Sequence, residues 1–260
     1  MIYCLKLLLI GFITLPLSLL VVLLGLFDRS GRVAYAIGRL WTWTILKTGR
    51  IRLKVRGLDR LDPGRPYVFI VNHQSNLDIP VLVQSLPKFQ LRWIAKKQLA
   101  YVPFFGWALW ASRHILVDRV DRGSAMASFR KAKEKIAGGD SVVIFPEGTR
   151  GSGGRLLPFK RGGFLLAVQT KTSIVPVTIN GSWAILPRGD WRVKAGEIEV
   201  IVDEPIPVDQ YHGKNVSALV DRVRDMMESH SRSRVHPYVK YSELAPARAA
   251  EDTLEPGIKT

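Results

Sequence analysis

A histidine and an aspartate stand five positions apart in Asn72-His73-Gln74-Ser75-Asn76-Leu77-Asp78, where an apolar run ends. That run, Tyr67-Val68-Phe69-Ile70-Val71, is aromatic and β-branched and reads as a buried strand. Gln74 to Asn76 suit a tight turn, and Asp78-Ile79-Pro80 has the composition of a helix start. A turn of this length brings a carboxylate back toward the imidazole. A carboxylate on one ring nitrogen fixes the tautomer and leaves the other nitrogen as a base. Taken alone, Asp78 also reads as a plain N-cap and His73 as a structural residue.

A second run, Ser141-Val142-Val143-Ile144-Phe145, leads into Pro146-Glu147-Gly148-Thr149-Arg150. Gly148 permits close backbone approach, and Arg150 carries a planar fork of donors suited to phosphate. A Pro-Gly turn with a solvated Arg fits those five residues equally well.

In this order and spacing, the two elements resemble the glycerolipid acyltransferase family, in particular its 1-acyl-sn-glycerol-3-phosphate (lysophosphatidic acid) acyltransferases. Two further blocks carry the resemblance: His114-Ile115-Leu116-Val117-Asp118-Arg119 and Ile174-Val175-Pro176-Val177. It covers about residues 50 to 205. The resemblance implies that His73 is the general base, oriented by Asp78, and that an acyl thioester reacts with a glycerol hydroxyl. Acyl transfer also needs oxyanion donors and a grip on the acceptor. The phosphate of the acceptor is expected to meet Arg150 and Arg119, with Glu147, Gly148, Thr149 and Lys96 around it. Glu147 is expected either to hold Arg150 or to touch an acceptor hydroxyl. Lys97 reads as a solvated lysine, and the amides after Lys160-Arg161 offer another anion contact.

No bound cofactor is expected. The resemblance implies acyl-CoA or acyl-carrier protein as the donor substrate, and the sequence does not choose between two acidic molecules. There is no Gly-x-Ser-x-Gly elbow, and the one cysteine, Cys4, lies in an apolar segment. Direct attack without a covalent acyl-enzyme is therefore the expected course. The remaining histidines, His114, His212, His230 and His236, form no metal-ligand spacing. Rival readings are an acyltransferase for another lysophospholipid or a lyso-aminolipid, and a catalytically silent protein that binds anionic membranes.

The formal net charge of +16 calls for an acidic partner. The basic residues are scattered and no nucleic-acid motif organises them, so a membrane surface is expected and nucleic acid is not. Leu7 to Phe27 is uncharged and would rise about 31 Å as a helix, close to the hydrocarbon thickness. Pro16 makes a bent or re-entrant segment the competitor to a straight span, and a cleaved signal peptide is a further alternative. Residues 29 to 50 read as a basic amphipathic helix with Arg29, Arg32, Arg39, Lys47 and Arg50 on one face. Val33, Ile37, Leu40, Trp41 and Thr44 occupy another face, which suits an interfacial helix. Packing of that apolar face on the domain is the alternative.

From Ile51, seven strand-like runs alternate with helical ones, which predicts an α/β domain: a mostly parallel sheet flanked by helices. The expected organisation is a membrane-associated helical segment over 1–50, an acyltransferase domain over 51–235 and a disordered tail over 236–260. The expected location is a membrane, at the cytoplasmic face of the bacterial inner membrane.

Overall fold

A computed structural model describes residues 2–232 apart from 29, 104, 119–121, 152 and 213–214. The seven expected strands form one sheet: β1 (Ile51–Arg56), β2 (Val68–Val71), β3 (Leu91–Lys96), β4 (Ile115–Val117), β5 (Ser141–Ile144), β6 (Ile174–Asn180) and β7 (Gly196–Val202). Their spatial order is β1-β7-β6-β2-β5-β3-β4, and every neighbouring pair is parallel except β6 with β7. The helices are α1 (Ile2–Gly25), α2 (Arg32–Gly49), α3 (Asp78–Ser85), α4 (Phe105–Ala111), α5 (Arg122–Ala137), α6 (Gly162–Thr170), α7 (Ser182–Ile185) and α8 (Val216–Arg232). The tail expected over 236–260 lies outside the described residues.

Alternation along the central strand shows why both faces of the sheet are covered. Phe69 and Val71 pack with Val81 and Leu82 of α3, while Val68 and Ile70 pack with residues of α5, α6 and α8. A strand buried on both faces must be apolar throughout, as Val68 to Val71 are.

Two features of the N-terminal helices bear on what was expected of them. Pro16 lies inside α1, which continues as one helix through it. The buried side of α2 is Ala34, Thr42, Leu46 and Gly49, whereas Val33, Leu40 and Trp43 are exposed. Leu46 belongs to the main core, and the Gln84 amide of α3 donates to Arg39 O and Thr42 Oγ1, each at 2.8 Å. Part of α2 therefore packs as an outer layer of the α/β domain, and the domain's core does not stop at residue 50. Arg39, expected on a headgroup-facing stripe, donates to Pro87 O at 3.0 Å, and Arg29 lies outside the described residues.

Arg92 fastens this layer to the sheet. Its guanidinium is fully buried and donates to Asp140 Oδ2 (2.8 Å), Ser112 O (2.6 Å) and Ser30 O (2.7 Å). One side chain of β3 thus ties together the α1–α2 connection, the end of α4 and the start of β5.

Candidate active site

Adjacent parallel strands open at the same edge of a sheet, and their following loops meet there. β2 and β5 are such neighbours, in register from Val68–Val142 to Ile70–Ile144. The segments after them are His73 to Asp78 and Phe145 to Arg150, so the two sequence elements converge outside the carboxyl ends of the strands, where open α/β sheets bind ligands.

The β2–α3 turn is organised around one oxygen. Asp78 Oδ2 accepts from Gln74 N (2.7 Å), Ser75 N (2.9 Å) and His73 Nδ1 (2.8 Å). Asp78 therefore does not cap α3; its carboxylate reaches back over the turn and holds the imidazole. With Nδ1–H donating to a carboxylate, Nε2 is left to take up a proton. Asp78 is wholly buried while the His73 side chain is 17% exposed, so the pair has a dry side and an open side.

The turn is fastened to its surroundings by contacts distant in sequence. The Asn72 carboxamide pairs with both backbone groups of Ile179, Nδ2 donating to O at 2.9 Å and Oδ1 accepting from N at 2.7 Å. Ser75 Oγ donates to Leu186 O, and Gly151 N donates to His73 O. Phe145 lies flat on the imidazole, with centroids 4.0 Å apart and planes at 17°, and Trp93 stacks beyond it at 6.0 Å.

Glu147 differs from the expectation for it. It is buried, 4% exposed, and both oxygens accept backbone amides: Oε1 from His73 N at 2.8 Å and Oε2 from Leu157 N at 2.9 Å. It clamps the histidine loop to the segment around Leu157 and forms no hydrogen bond or ion pair with Arg150. Burial pushes its carboxyl up to about 7, against the pull of the two amide donors, with the Asp78 charge adding to the rise. Gly148 has φ of 72°, and a Cβ there would stand 3.0 Å from Lys160 Nζ, so a side chain would be strained and would crowd that ammonium. Thr149 is exposed. Arg150 Nη1 donates to Asn76 Oδ1 at 2.9 Å, which holds the guanidinium beside the histidine turn. Arg119 and the side chain of Lys96 lie outside the described residues.

His114, just before β4, accepts a long hydrogen bond from Trp93 N at 3.5 Å. Desolvation drives its imidazole down to about 3, helped by the charges of Arg92 and Lys135, so it is neutral at physiological pH. Among the described residues no group of His, Cys, Asp and Glu side chains could hold a metal ion.

Residues 52–180 match the family model described as Acyltransferase. The 1-acyl-sn-glycerol-3-phosphate acyltransferase of Cocos nucifera is 31% identical over 208 residues, covering 78% of this chain and 67% of that protein. The chain belongs to the acyltransferase family. The alpha form of 1-acyl-sn-glycerol-3-phosphate acyltransferase from Homo sapiens is 37% identical over 178 residues, or 68% of this chain. The chain spans 62% of the length of that human relative. The fold is that of a crystallised family member, the 1-acyl-sn-glycerophosphate acyltransferase of Thermotoga maritima: TM-score 0.74 at 22% identity, over 92% of this chain and 100% of that one. Of the other residues around this site, Trp93, Leu157 and Leu186 carry no local signal of their part in it. Each reaches the turn only through the fold.

Proposed function

We propose that this chain transfers a fatty acyl group from an acyl thioester to the free hydroxyl of a 1-acyl-glycerol-3-phosphate, giving phosphatidic acid. The observation that carries the reading is the hydrogen bond between His73 Nδ1 and the buried Asp78 carboxylate beside an open imidazole edge. Names of the relatives supply the acceptor class. In the reaction His73 Nε2 takes the hydroxyl proton as the oxygen attacks the thioester carbonyl carbon. The tetrahedral intermediate then breaks its C–S bond, and the thiolate recovers the proton from the imidazolium. Asp78 fixes the tautomer and stabilises the imidazolium. Arg150, held by Asn76 next to this turn, is the candidate partner for the acceptor phosphate, together with Arg119 and Lys160. Either acyl-CoA or acyl-carrier protein serves as donor, and both are acidic molecules suited to a chain of net charge +16.

Membrane attachment belongs to the same reading. α1 is apolar, and only 11% of its most apolar window is buried against the protein. Near its start, Lys6 donates to Val193 O and Tyr3 meets Trp191 edge-on; at its end, a Cβ on Gly25 would stand 2.8 Å from Ala111 Cβ. Its two ends, about 36 Å apart at ~1.5 Å per residue, touch the same α/β domain. A straight passage through a bilayer would drag that domain into hydrocarbon. We therefore place α1 along one leaflet, on the cytoplasmic face of the membrane, where lysolipids reside.

The test is thiol release from acyl-CoA and acyl-carrier protein with a panel of lysolipids, on wild type and His73→Ala. Wild type should prefer the phosphate monoester, and His73→Ala should lose turnover while keeping its melting temperature. Near-normal turnover of His73→Ala would refute the assignment of the base. A preference for a phosphodiester or aminolipid acceptor would move the chain to another acyltransferase of the family.

A further inference from the structure

β3 ends on Lys96, and the chain then makes a tight helical hairpin: a short 3-10 turn over Lys97–Tyr101 followed by α4. Gly106 closes it. Its amide donates to Val102 O at 2.7 Å, and a Cβ on Gly106 would lie 2.1 Å from Ala100 O, so backbone rests on backbone. One side of the hairpin carries small residues. Ala108 and Ala111 pack with Val21 of α1 and with Ala34 and Ile37 of α2. One residue N-terminal to each alanine, 100° around the helix, stands a tryptophan: Trp107, 53% exposed, and Trp110, 57% exposed. In the preceding turn Tyr101, 73% exposed, and Val102, 45% exposed, also open to solvent. Arg113 holds its guanidinium 5.5 Å from the Trp110 ring centroid, and Lys97 is exposed at the other end.

Both indoles stand more than half exposed on a helix of seven residues. Exposed aromatic and apolar side chains gathered on so short a stretch of chain mark a binding face. Its composition identifies the occupant. Tryptophan and tyrosine flanked by cations suit the headgroup boundary of a bilayer, where the rings are half-desolvated and the cations meet lipid phosphate. The hairpin also adjoins the exposed leucines of α1 through the Gly25–Ala111 contact, so the two apolar surfaces neighbour one another.

We propose that the hairpin of residues 97–103 with α4 is a second membrane-contacting element, seating Tyr101, Val102, Trp107 and Trp110 at the headgroup boundary of an anionic bilayer beside α1. The inference rests on the membrane attachment argued above and adds a second point of contact. One helix leaves the domain free to roll about its axis, whereas two elements fix its tilt. Because the hairpin follows β3 at the carboxyl edge of the sheet, that tilt turns the His73 turn toward the lipid.

The test uses the full chain with its one cysteine removed (Cys4→Ser) and an environment-sensitive fluorophore on Val102→Cys, with Asp221→Cys on α8 as the remote control. Vesicles of phosphatidylcholine and phosphatidylglycerol should shift the Val102 emission to the blue. Lipids spin-labelled near the headgroup should quench it and leave the Asp221 label unaffected. A chain that sediments with vesicles while its Val102 label stays in water would overturn the hairpin contact and spare the attachment reading. A chain that does not sediment at all would overturn both. A blue shift produced without lipid, by raising protein concentration or adding acyl-carrier protein, would make the face a protein interface and refute the proposal. In the unlabelled chain, Trp107→Ser with Trp110→Ser should weaken vesicle binding on the order of tenfold. Its thermal melt and its turnover of detergent-dispersed acceptor should be unchanged.

Discussion

Oδ2 of Asp78 gathers two amides and an imidazole N–H, so the carboxylate and the histidine are held by one small turn. What surrounds that pair is set by single residues with separable effects. Phe145 covers one face of the imidazole, and an aromatic face stabilises a cation formed against it. Phe145→Leu keeps the bulk and removes the π face, so kcat should fall about tenfold, equivalent to ~1.4 kcal/mol, while Phe145→Tyr retains the rate. Steady-state assays at matched folded concentration check this. Glu147 makes a different prediction, because its proton is held more tightly in the folded chain than in the unfolded one. Its contribution to stability is fully present below about pH 4.5 and is lost as pH rises toward 7. Across that window wild type should lose stability relative to Glu147→Gln by up to about 1.4 kcal/mol per pH unit. Urea midpoints of the two proteins at a series of pH values measure the slope, and parallel curves would remove Glu147 from the account.

At the scale of elements, one buried cation joins parts that no hydrophobic cluster joins as directly. Arg92 bonds the α1–α2 connection, α4 and the start of β5, and a Cβ on Gly31 would stand 3.0 Å from its Nη1. Removing one member of such a buried network leaves its partners undersatisfied. Arg92→Met should cost about 3 kcal/mol by denaturant unfolding. It should also open the connection around residue 30 to limited proteolysis before the sheet itself unfolds. Equal loss of protection throughout the chain would mean that Arg92 supports the core and not the attachment of the helices.

The molecule as a whole presents a sheet edge bearing His73, a helical layer beside it and a large positive charge. α1 and α2 contribute unequally to this arrangement, since α1 is mostly exposed and α2 supplies Leu46 to the core. Deleting residues 2–26 should therefore sharply weaken membrane association and reduce turnover of long-chain acceptors more than of short, dispersed ones, with the α/β domain still folded. What binding remains should be salt-sensitive, each surface cation near an anionic leaflet contributing about 1 kcal/mol. Deleting residues 2–50 should in addition lower the melting temperature, because the Thr42, Leu46 and Gly49 packing is lost. Vesicle sedimentation and thermal melts on the two truncations distinguish these effects, and equal melts would return α2 to the anchor.

Much of this architecture is local information and was legible in the sequence. Strand runs such as Val68–Val71 and Ser141–Ile144 are short, apolar and bounded by turn residues, and helices fill the intervals. The α/β class and the order of its elements follow from periodicity alone. The spacing of His73 and Asp78 is likewise local, because five residues of turn suffice to close it. Partners distant along the chain were decided by tertiary structure. Glu147 pairs with an amide 74 residues away, Asn72 with a strand 107 residues away, and Ser75 with a carbonyl 111 residues away. Nothing in the local composition of Pro146-Glu147-Gly148 distinguishes a carboxylate that grips substrate from one buried against two amides, since only the packing of neighbouring loops sets its solvation. The same holds for α2, whose basic and apolar faces are visible in sequence while the small residues Ala34, Thr42 and Gly49 that meet the domain are not. Periodicity states which face of an element is apolar; the fold decides what, if anything, covers it.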